Sequence, residues 1–195
     1  MLRMAKEKKI NTKEVIIVTV TLTLICLITT ALLAIINSVT EKPIAQNLIK
    51  AENEARMSVV ADASDFVAKN DGAYYEAVDG SGNVIGYAVS TSAKGYGGDV
   101  VVMTGFDTEG KILKVEIVSA DDETPGLGQN ITKDSFLDEF KGKSGELKLV
   151  TASQATGADN EVDAVTSATY SSVAVVDAVN EASEIIKNAV GGDGQ

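Results

Sequence analysis

The sequence predicts an α+β domain, one antiparallel β-sheet flanked by helices, behind one N-terminal transmembrane helix. Three observations predict it. An uncharged apolar run lies near the N-terminus, and short β-rich runs follow that are too closely spaced for helical crossovers. Helical periodicity marks both ends of the remaining chain. The 195 residues suffice for one ordinary domain with attachments.

The apolar run, Val15 to Ile36, reads VIIVTVTLTLICLITTALLAII, 22 residues without a charge. As a helix it is about 33 Å long, against a hydrocarbon core of about 30 Å. A cleaved signal peptide has an apolar region of about 7–15 residues before a small-x-small site. This run is longer, and Ala31-Leu-Leu-Ala34 has the wrong spacing, so it reads as an uncleaved anchor. Residues 1–14 form a basic stub with Arg3, Lys6, Lys8, Lys9 and Lys13 against Glu7 and Glu14. The twenty residues after the span contain only three basic residues, Lys42, Lys50 and Arg56. The positive-inside rule therefore puts the stub in the cytoplasm and the acidic body outside. Cys26 sits near mid-membrane as a small apolar residue. Thr19, Thr23 and Thr30 share a face and bond either their own preceding turn or a neighbouring helix.

Residues 37–72 read as a helical juxtamembrane segment, with Pro43 suited to a first helical turn. Ile44, Leu48, Ala51, Ala55, Val59 and Ala63 recur there at helical spacing. The globular domain is expected over 73–190. Strands are expected near 73–78, 84–91, 99–106 and 111–119, punctuated by Asp79-Gly-Ser-Gly-Asn83 and Asp107-Thr-Glu-Gly110. Leu113, Val115 and Ile117 alternate with Lys114 and Glu116, giving one core face and one wet face. A polar turn over Asp121–Gly128 leads to a helix near 132–141 and a short strand at Leu147–Val150. From about Ser167, the stripe Val173, Val176, Val179, Ile186 and Val190 marks a final helix, and 191–195 is a flexible tail.

Composition removes much chemistry. Lys+Arg total 17 against Asp+Glu 28, a formal charge of −11, which argues against nucleic acid as a partner. No histidine or tryptophan is present and there is one cysteine. His-based acid–base catalysis, His or Cys zinc sites, iron–sulfur ligation and intrachain disulfides are thereby excluded. No metal site and no catalytic residue apart from an imported cofactor are expected.

Four segments remain. Lys94-Gly-Tyr-Gly-Gly98 offers small backbone for close approach to a planar or phosphorylated ligand, although taken alone it reads first as a strand connection. In Glu123-Thr-Pro-Gly-Leu-Gly128, Pro125-Gly126 predicts a type II turn, either a tight connection or a seat for Glu123 and Thr124. In Asp163-Ala-Val-Thr-Ser-Ala-Thr169, Thr166 and Ser167 are N-cap candidates. Taken alone the segment reads first as an ordinary capped helix, whereas a phosphoester on Thr169 would lie at the positive end of the helix dipole. Asp121 and Asp122 read as a solvated turn or a pair able to meet a cation.

The run Asp163-Ala-Val-Thr-Ser-Ala-Thr169 resembles the flavinylation motif of FMN-binding domains: Asp, two residues, Ser or Thr, usually Gly, then Ala and Thr. With Ser92–Gly98 and Glu123–Gly128 in that order behind one transmembrane helix, nearly the whole chain is similar to the G subunit of the Rnf complex. That complex is an ion-translocating ferredoxin:NAD oxidoreductase. The C subunit of the sodium-translocating NADH:quinone reductase represents a sister family with usually longer chains.

The resemblance implies FMN bound covalently to Thr169 through its phosphate, attached by a flavin transferase using FAD. Asp163 would belong to the transferase recognition sequence, and Thr166, Ser167 and Ala168 would line the attachment turn. Glu123, Thr124, Gly126 and Leu127, with Gly95, Tyr96 and Gly97, would approach the flavin. The chain departs from the pattern at Ser167, where glycine is usual. The implied function is that of a redox subunit, not catalytically complete alone, passing single electrons within a plasma-membrane complex whose neighbouring membrane and redox subunits move Na⁺ or H⁺. The competing readings are the C subunit of a quinone reductase or another FMN-linked reductase, and a non-enzymatic anchored binding module.

Overall fold

The structure, a computed structural model, describes residues 12–151 and 153–191. The expected tail at 192–195 and most of the basic stub, residues 1–11, lie outside the described residues. The chain divides into two units, Met1–Asn47 and Leu48–Gln195.

Within the first unit, the described residues belong to helix α1, Thr12–Val59, whose most apolar 18 residues have mean hydropathy 2.6 and are unburied. It is long and apolar enough to cross a membrane. Thr23 and Thr29 donate their hydroxyls to the carbonyls of Thr19 and Ile25, each at 2.9 Å, satisfying them within the helix. Pro43 lies inside α1 rather than at a first turn. The helix continues through it, forgoing one backbone bond.

The second unit is built on a five-stranded antiparallel meander: β1 Asp65–Lys69, β2 Tyr74–Val78, β3 Val84–Lys94, β4 Asp99–Phe106 and β5 Ile112–Ser119, in that spatial order. The helical expectation for 37–72 fails beyond Val59, and β1 adds a strand at Asp65–Lys69. Ala63 continues the apolar spacing, but Ser64 already donates its N–H to the Val78 carbonyl, and pairing with β2 decides the conformation. The domain therefore begins before residue 73. The last turns of α1 bury Ala55 and Val59, with Val60 just beyond, against Ala77, Ala88 and Met103 on one sheet face.

The other face packs on α3, Thr169–Gly191, through Val89, Val100, Val102, Phe106 and Val115 against Ala174, Val175, Ala178 and Val179. The Thr91 hydroxyl ties the sheet to α3 by donating to the Ala178 carbonyl at 2.8 Å. Between β5 and α3 the chain closes the core with Ile131, Phe136 and Phe140. The continuous helix expected near 132–141 is instead a single α-turn, α2 Asp134–Leu137, between 3-10 turns at Gly128–Thr132 and Asp138–Phe140. Extended backbone at Lys133 breaks the run. Strand β6, Lys148–Val150, pairs in parallel with β7, Glu161–Asp163, a strand the sequence pattern did not reveal. β7 delivers the chain directly to the start of α3.

Candidate functional site

Three loops meet at the N-terminal end of α3. The first is the β3–β4 turn, where Lys94 and Asp99 are the last paired residues and Gly95 donates its N–H to Gly98 at 2.8 Å. The second follows β5. Thr124-Pro125-Gly126-Leu127 forms the expected type II turn, with Leu127 N–H donated to the Thr124 carbonyl at 3.1 Å and φ of 75° at Gly126. The third joins β7 to α3 through residues 164–168.

Glu123 holds these loops together. It is 2% exposed. Its Oε1 accepts the Gly97 N–H at 3.1 Å and its Oε2 accepts the Ser171 hydroxyl at 2.5 Å. A β-carbon on Gly95 or Gly128 would collide with these carboxylate oxygens, and one on Gly97 with the Asp122 carbonyl. These glycines are needed because the protein's own backbone and the Glu123 carboxylate come so close. Asp121 and Asp122 are exposed, and no cluster able to hold a metal occurs among the described residues.

Thr169 is the first residue of α3 and its side chain is exposed. Ser172 donates its N–H to the Ala168 carbonyl, so helix geometry leaves the N–H groups of Thr169, Tyr170 and Ser171 without an intrahelical acceptor. The N-cap expectation for Thr166 and Ser167 is corrected: both side chains are exposed, and neither caps α3 among the described residues. Ser172, fully buried, organises the turn instead. Its hydroxyl accepts the Val165 N–H at 3.0 Å and donates to the Ala168 carbonyl at 2.9 Å. Ser167 has φ of 65°, a left-handed conformation that glycine adopts without strain.

The remaining predicted residues are distributed unevenly. Ala168 is buried, while Thr124, Gly126 and Leu127 are exposed on the type II turn. Asp163 ends β7 with its side chain exposed, its backbone N–H held by Glu139 Oε2 at 2.7 Å. Tyr96, on the glycine turn, faces Tyr170 on α3 with ring centroids 6.4 Å apart and planes inclined by 46°. Tyr170, Ser171 and Ser172 were missed by sequence reasoning. Their signal was available in a polar and aromatic run, Thr169-Tyr-Ser-Ser172, opening an otherwise apolar-striped helix. A cleft of about 790 Å³ beside α3, lined by Glu109, Glu146, Asp177 and Glu181, contains none of these residues. The three-loop site is an open surface.

Residues 95–184 match the FMN-binding domain family, and residues 4–59 match the RnfG N-terminal region. The chain is 33% identical over 189 residues to the G subunit of the proton-translocating ferredoxin:NAD(+) oxidoreductase complex of Clostridium ljungdahlii, covering 97% of this chain and 100% of that one. It is 32% identical over 203 residues to the G subunit of the Na(+)-translocating ferredoxin:NAD(+) oxidoreductase complex of Acetobacterium woodii, covering 94% and 97%. The crystal structure of Shewanella oneidensis NqrC superposes with a TM-score of 0.53 at 19% identity, over 69% of this chain and 74% of that one. That of the C subunit of the Na(+)-translocating NADH-quinone reductase from Parabacteroides distasonis gives 0.50 at 24% identity, over 58% and 60%. These two structures share the fold of the sheet domain.

Proposed function

The chain belongs to the RnfG family, the G subunits of ion-translocating oxidoreductase complexes, and on that premise we propose that it is the complex's membrane-anchored flavoprotein, with FMN in phosphoester linkage to Thr169. The observation that carries the reading is the exposed Thr169 hydroxyl at the first position of α3, directly after a left-handed turn. Free N–H groups and the positive helix end favour a phosphate at that hydroxyl.

The residues present fit the group. Beside Thr169 stand Tyr96 and Tyr170, each 74% exposed, with Leu127 at 48% and Val173 at 38%, apolar surface suited to a planar ring system. The Thr124 hydroxyl and the backbone amides of Gly126 and Gly128 supply polar partners. When bound, FMN supplies one-electron transfer, chemistry that a chain without histidine and with its single cysteine in the apolar helix does not itself contain. The protein holds the attachment point rigid, through Ser172 on one side and the Glu123–Ser171 bond on the other.

Attachment requires a flavin transferase. The Thr169 oxygen forms the new P–O bond to the FMN phosphate of FAD, the pyrophosphate bond breaks with AMP leaving, and the hydroxyl proton passes to solvent. Ser167, already left-handed, allows the turn to present Thr169, and Asp163 remains exposed for recognition. Electrons then pass between this subunit and its redox partners. Ion movement belongs to neighbouring membrane subunits, since one spanning helix encloses no path. The basic stub places the N-terminus in the cytoplasm and the domain outside. A C-terminal alkaline phosphatase fusion should accordingly be active and a C-terminal green fluorescent protein fusion dark.

The direct test is co-expression with an active flavin transferase followed by denaturing electrophoresis. The parent chain should show flavin fluorescence in its band, and Thr169→Ala should be dark. A dark parent band beside a fluorescent control substrate would refute the reading.

A further inference from the structure

We propose that Glu123 is a positioning residue that sets the spacing of Tyr96 and Tyr170 as paired aromatic walls for the ring system carried at Thr169. The inference rests on the flavin reading above and assigns Glu123 a place behind the site rather than in contact with the ligand. The residue is 2% exposed and both carboxyl oxygens are engaged inward, on Gly97 N–H and the Ser171 hydroxyl. Each oxygen therefore grips the residue immediately after one of the two tyrosines.

Three observations join in this assignment. First, the tyrosine rings are both 74% exposed yet stand 6.4 Å apart, on elements brought together from distant parts of the sequence. Their planes are inclined by 46°, so the rings form a tilted aromatic pair, and a planar ring held about 3.5 Å from each requires them to turn towards parallel. Second, withdrawing a carboxyl from water costs stability, and no lysine or arginine pairs with Glu123 among the described residues. Its two partners, an amide N–H and a hydroxyl, are uncharged donors, so hydrogen bonds alone hold the carboxyl in place and tie it to the two loops. Third, Gly95 and Gly128 flank the carboxylate, and any side chain at either would displace it. Tyr170 follows Thr169 in sequence, so a shift of the α3 start would move wall and attachment point together. Glu123 fixes the other wall to that same frame.

The test uses the full chain flavinylated by a co-expressed transferase, with flavin emission normalised to the intact-mass gain. A tyrosine ring stacked on a flavin quenches its fluorescence, so Tyr170→Leu should raise emission severalfold without changing the mass gain. Glu123→Gln keeps the size but replaces one acceptor oxygen with a donor, and should raise emission comparably by letting the walls separate. In the Tyr170→Leu background, Glu123→Gln should add little, because the spacing it sets no longer matters. Should Glu123→Gln fail to fold, Ser171→Ala releases only the α3 arm and is read in the same cycle. Unchanged emission in the Glu123 and Ser171 variants, or an effect that adds undiminished to Tyr170→Leu, overturns the proposal. A parent chain without the mass gain overturns the flavin reading itself, an outcome distinct from either.

Discussion

Ser172 closes the turn before α3 on Val165: its hydroxyl accepts the Val165 N–H at 3.0 Å while donating to the Ala168 carbonyl at 2.9 Å. One buried side chain thus fixes both ends of the loop that carries Thr166, Ser167 and Ala168 into α3. Ser172→Ala leaves a part-buried N–H without its partner, a loss of about 1–3 kcal/mol. Denaturant unfolding should show that loss, and the time course of flavin attachment should slow in the same variant.

Ser167 carries a β-carbon in a left-handed conformation, φ 65°. Ser167→Gly removes that strain but gives the unfolded chain more freedom, so the net change should stay within about 1 kcal/mol. Ser167→Val should lose more than about 1 kcal/mol, because a β-branched residue strongly resists positive φ. Thermal unfolding of the three chains checks the order Gly at or above Ser, and Ser above Val.

The sheet face opposite α3 is covered by Ala55, Val59 and Val60. A β-carbon at Gly105 would collide with the Val59 backbone. A chain beginning at Leu48 should fold with a cooperative thermal transition. One beginning at Ala73 exposes Ala77, Ala88 and Met103 and should aggregate or melt without a transition. Gly105→Val in the full chain should lose about 1–3 kcal/mol as overpacking displaces the α1 end.

Glu161 is held below the usual carboxylate range, first by the Thr156 hydroxyl and then by the Thr156, Gly157 and Ala158 N–H groups. Its folded pKa is depressed, so its contribution is full above the ordinary glutamate value of about 4.5 and is lost as pH falls through the lower folded value. Amide protection at Thr156–Ala158 should therefore drop on acidification below that range. In Glu161→Gln, protection should be low at every pH and show no such step.

The elements visible in the sequence were those whose signal is local. β4 and β5 fall on their β-rich runs, although β5 packs on both faces, Leu113 against the cluster at the end of α1 and Val115 against α3. The Pro125-Gly126 turn is type II, and α3 buries Val176, Val179 and Ile186 of its stripe while Val173 and Val190 are exposed. What escaped depended on distant partners. β1 lies in a stretch continuing helical spacing and is a strand because β2 pairs with it. β7 is three residues long and exists by pairing with β6. The three motif loops were legible as loops. Their convergence on Glu123 was not, since a lone glutamate before Thr-Pro-Gly gives no sign of burial. For Ser171 and Ser172 the polar run Thr169-Tyr-Ser-Ser172 was legible but their burial was not, because serines near a helix start read as solvent-facing.

Thr169, and neither Thr166 nor Ser167 beside it, is the residue proposed to carry the flavin. Intact mass and peptide mapping of the chain co-expressed with an active flavin transferase test it most directly. The predicted result is a gain equal to FMN less one water, mapped to Thr169 and absent from Thr169→Ala. A gain that persists in Thr169→Ala, or that maps to Thr166 or Ser167, would contradict it.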